Sequence, residues 1–87
     1  VFACNFSNNI YAISEELLKK SDLDFEILKP LIAETANKII KNSPSSAQTG
    51  PAKRKDLQTI KNQINLLEDD DLKNIYKLIT NQILKQK

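Results

Sequence analysis

The sequence predicts an all-α domain of four helices spanning residues 1–87. Three observations lead there. Apolar residues recur every three to four positions along most of the chain, and no segment alternates with the period of two that a strand requires. The only glycine also sits with two of the three prolines in a single segment, 42–51, which is the one loop the composition marks.

The first helix is expected over residues 2–19, with Phe2, Phe6, Ile10, Ile13 and Leu17 at helical spacing and no proline or glycine to interrupt them. Ala3, Cys4, Tyr11, Ala12 and Leu18 widen its apolar surface beyond one stripe, which predicts burial on more than one side. Asn5, Asn8 and Asn9 gather on one face of it. Lys19 and Lys20 suit its C-terminus, and the segment Ser21–Asp24 supplies the turn and cap for a second helix. That helix places Phe25, Leu28, Ile32, Ala36 and Ile39 in the core, has a short first turn and then a kink at Pro30, and ends near Lys41. A third helix runs from about Leu57 to Leu67, capped by Asp56, with Leu57, Ile60, Ile64 and Leu67 on its inner side. The run Asp69–Asp71 caps a fourth, whose buried face is Leu72, Ile75, Tyr76, Ile79 and Ile83 and whose end carries Lys85 and Lys87.

Composition removes several chemistries. The chain has no histidine, the commonest general base and zinc ligand and the usual partner of a serine or cysteine nucleophile. Eighty-seven residues do not hold a complete enzyme with its own cofactor domain, so this chain alone is expected to be inactive and its catalytic residues are unknown. Cys4 has no partner for a disulfide, which points to the cytoplasm, and its apolar neighbours predict a buried small hydrophobe. A net charge of +2 is too balanced to indicate nucleic acid or a membrane surface, and no apolar run approaches the length of a spanning helix. The apolar start at Val1 without a methionine reads as a cut end, so a fragment of a longer chain is expected.

Few residues offer binding chemistry. The asparagine cluster presents neutral donors and acceptors, although asparagine is frequent throughout the chain and a wet helix edge is the better account of the group, less so for Asn5 among its apolar neighbours. The run Lys53-Arg54-Lys55 beside Gly50-Pro51 could hold a phosphate or carboxylate, with Arg54 supplying the planar fork, although three basic residues in a row are more often a solvated surface. Asp69–Asp71 lacks the alternating ligands of a calcium loop, and no metal site is expected.

Three segments carry a family resemblance, in this order along the chain. They are Val1-Phe2-Ala3-Cys4-Asn5-Phe6, then Leu28-Lys29-Pro30-Leu31-Ile32-Ala33-Glu34-Thr35, and then Gln48-Thr49-Gly50-Pro51-Ala52-Lys53-Arg54-Lys55-Asp56. Together they resemble the helical C-terminal domain of Rossmann-like NAD(P)-dependent oxidoreductases related to pyrroline-5-carboxylate reductase, with the phosphogluconate dehydrogenase C-terminal-like fold. Lys55 departs from the pattern, which has glycine between the arginine and the aspartate.

The resemblance implies an N-terminal Rossmann domain, absent here, that binds NAD(P), while this fragment binds no cofactor alone. It implies a dimer interface and one wall of a cleft for a small-molecule substrate, with Asn5, Thr49, Gly50, Arg54 and Asp56 facing that cleft. A homodimer through the first helix, at Phe2, Phe6, Ile10 and Ile13, is expected because that helix is apolar on more faces than three short helices can cover. The alternative is a helical protein-interaction module without catalytic role.

Overall fold

The computed structural model describes residues 1–86; Lys87, expected to favour the end of the last helix, lies outside them. Five α-helices are present among the described residues: α1 (Ser7–Lys19), α2 (Lys29–Lys41), α3 (Pro44–Ala47), α4 (Leu57–Leu66) and α5 (Asp70–Leu84). The four long ones are the four predicted. They divide into two compact units, residues 1–41 and 42–87.

In the first unit a wide helical turn, Phe2–Phe6, precedes α1. The Phe6 N–H reaches back five residues to the Val1 carbonyl at 2.9 Å, and the Ser7 hydroxyl donates to the Phe2 carbonyl at 3.2 Å. Phe2 and Phe6 meet edge to face with ring centroids 5.0 Å apart, the arrangement aromatic quadrupoles favour. α1 closes with two backbone bonds, Leu23 N–H to the Leu18 carbonyl at 2.9 Å and Asp22 N–H to the Lys19 carbonyl at 3.1 Å. This is the Schellman closure, and it needs a residue in the left-handed region, which Asp22 supplies at φ 56°. Asp24 then accepts from the Glu26 N–H at 2.9 Å and starts a 3₁₀ turn, Phe25–Leu28, that runs into α2. This 3₁₀ turn is the short first turn expected ahead of Pro30, which stands in the first turn of α2, where proline is tolerated.

In the second unit Ser43 caps the single turn α3, inside the segment expected to be a plain loop. Asp56 and Asp69 cap α4 and α5 as expected, Asp69 accepting from the Leu72 N–H at 3.1 Å. α4 packs on α5, and the Tyr76 hydroxyl donates to the Gln63 side-chain oxygen between them. Burial pushes the Tyr76 phenol above its ordinary value of 10.0. Ala52, Ile60 and Thr80 are the buried residues among those described in this unit.

Several burial expectations fail. Leu57, Ile75 and Ile79 are exposed, because α4 and α5 meet through the sides carrying Ile60, Tyr76 and Thr80. The first unit has no buried residue among those described. Phe2, Phe6, Ile10 and Tyr11 in its N-terminal helical segment are exposed, as are Ala36 and Ile39 on α2, while Ile13, Leu17, Phe25, Leu28 and Ile32 are half-buried. Cys4, expected to be buried, is exposed on the wide turn. Within this unit α1 approaches the 3₁₀ turn, which runs directly into α2.

Candidate functional site

The segment from Thr49 to Asp56 is built almost entirely from backbone hydrogen bonds. Gly50 enters with φ +99°, a conformation that L side chains rarely adopt, and a Cβ built there would meet nothing within 4 Å. Glycine is therefore required for its backbone freedom and not for space. Pro51 follows, and one helical turn forms in which the Arg54 N–H donates to the Gly50 carbonyl at 3.3 Å. Two further bonds close it: Asp56 N–H to the Pro51 carbonyl at 2.8 Å and Lys55 N–H to the Ala52 carbonyl at 3.1 Å. The pattern repeats the Schellman closure at the end of α1, with Lys55 as the left-handed residue at φ 58°. Glycine is the usual occupant of such a position, which gives a physical reason for the glycine of the family pattern there. The lysine keeps the turn but holds an L residue in the left-handed region.

Asp56 leaves this turn and caps α4. Its carboxylate accepts from the Thr59 N–H at 3.1 Å and from the Thr59 hydroxyl at 2.7 Å. Arg54 Nη2 stands 4.0 Å from the same carboxylate, a loose pair with both side chains well exposed, so its energetic weight is small. The Thr59 hydroxyl and backbone bonds, helped by the nearby Arg54 charge, hold the Asp56 carboxyl below its ordinary value of 3.8. Asp56 is thus ionised at neutral pH and suited to orient Arg54, not to give or take a proton. Arg54 keeps its remaining guanidinium donors toward solvent, where a carboxylate or phosphate could meet its planar fork.

Arg54, Asp56 and Gly50 are thus brought together by one turn, and Thr49 is the exposed residue leading into it. Thr59 belongs to the same group and was missed in the sequence; the spacing of an aspartate cap to a hydroxyl three residues on was the available signal. Asn5 lies in the other unit, exposed on the wide turn with Asn8 and Asn9 exposed after it on α1. The open groove of the first unit, lined by Glu15, Asp22 and Asp24 against Lys19, carries the wrong sign of charge for an anionic ligand. Among the described residues no cluster of three or more potential metal ligands occurs. No described helix is long and apolar enough to cross a membrane.

Two outcomes follow from the turn. Gly50→Ala lowers stability by about 1–2 kcal/mol from backbone strain, whereas D-alanine at the same place, introduced by chemical synthesis, keeps it; denaturant unfolding checks both. Lys55→Gly raises stability by roughly 0.5–1 kcal/mol, the relief of left-handed strain exceeding the entropy glycine adds to the unfolded chain. A loss on Lys55→Gly would contradict the strain account.

The depressed Asp56 carboxyl gives a pH signature. A group whose folded value lies below its unfolded one stabilises above the unfolded value and loses that contribution as pH falls through the folded one. Asparagine still caps but does not titrate, so the difference in Tm between the native chain and Asp56→Asn shrinks as pH is lowered through and below 3.8. A difference constant with pH would remove the ionised carboxylate from the account.

A crystal structure described as that of a putative NADP oxidoreductase, BF3122 from Bacteroides fragilis, matches this chain with a TM-score of 0.93 at 45% identity over 98% of its length. The chain spans about a third of that protein, 33%, and corresponds to its C-terminal region. No curated protein matches significantly. The model of a domain of unknown function, DUF2520, matches residues 1–83, so the chain belongs to the DUF2520 family.

Proposed function

We propose that residues 1–87 serve as the C-terminal dimerisation and substrate-cleft domain of an NAD(P)-dependent oxidoreductase. The observation that carries this reading is the match, nearly end to end and at 45% identity, to the C-terminal region of a protein described as a putative NADP oxidoreductase. The chain's own chemistry agrees with a supporting role. With one glycine in the whole sequence it has no glycine-rich loop to cradle a pyrophosphate, so a Rossmann domain in the longer protein would hold the cofactor. This chain would supply a wall of the cleft.

In that cleft Arg54 binds an anionic group of the substrate or cofactor, and Asp56, itself fixed by Thr59, sets the direction of the guanidinium. Gly50 and Lys55 fix the turn that presents them. Thr49 offers a hydroxyl beside the turn, and Asn5 is a separate candidate on the first unit's wide turn. The exposed Phe2, Phe6 and Ile10, with half-buried Ile13, provide the apolar surface for a homodimer. The interaction-module reading has no comparable observation in its favour, since exposed apolar helix faces serve a dimer equally well.

Arg54→Ala in the longer protein is the test. If Arg54 holds an anion, kcat/KM for nicotinamide-linked turnover falls about 10- to 100-fold, the equivalent of a charged hydrogen bond of about 1.5–3 kcal/mol, while unfolding shifts by less than about 0.5 kcal/mol. Unchanged kinetics would take Arg54 out of the cleft.

A further inference from the structure

We draw no further inference here: the strongest candidate, the exposed apolar side of α2 that carries Ile39 and Ile40, is a surface for which nothing in the structure shows what covers it.

Discussion

The chain carries more apolar helix surface than its own elements cover, and this imbalance governs most of what the structure does. α4 packs on α5, where Tyr76 bonds Gln63 and Ile60 and Thr80 are buried, although Leu66 and Leu78 of the same pair stay exposed. The first unit has no such pair. Its wide turn and α1 present Phe2, Phe6 and Ile10, its α2 presents Ile39 and Ile40, and none of its described residues is buried. At roughly 25 cal/mol per Å² of apolar surface, burying even part of this area outweighs the few kcal/mol by which small domains are usually stable.

The second unit is arranged around a different constraint. The turn from Gly50 to Asp56 is held by main-chain bonds at both ends and passes directly into the cap of α4. Two residues in it adopt positive φ: Gly50, which does so freely, and Lys55, whose L side chain is held in the left-handed region at a local cost. Pro51, Ala52, Lys53 and Arg54 lie between those two positions. The Asp56 carboxylate, saturated by Thr59, is the link between the helix start and the guanidinium.

How much of this was legible in the sequence depends on the range of the interaction involved. Helix starts at Asp24, Asp56 and Asp69 could be read because a cap is decided within three residues. The glycine at position 50 could be read because a chain that uses the residue once needs its freedom there. The left-handed Lys55 could not, since nothing in lysine announces positive φ; only its place opposite a glycine in the family pattern hinted at it. Which apolar residues become buried was the least legible feature. Leu57, Ile75 and Ile79 have the same character as Ile60 and differ only in which side of the helix meets a neighbour. Cys4 follows the same rule: apolar neighbours in sequence do not bury a residue when the turn they form has nothing packed over it.

Concentration dependence of thermal unfolding tests the central claim most directly, because a partner that binds only the folded chain raises Tm by mass action. If the first unit is completed by a second copy, Tm rises steadily as the chain is concentrated over about a hundredfold range, and helix content falls at the dilute end. A Tm and helix content unchanged across that range would show that the exposed faces of α1 and α2 are stable without a partner, and would contradict the account.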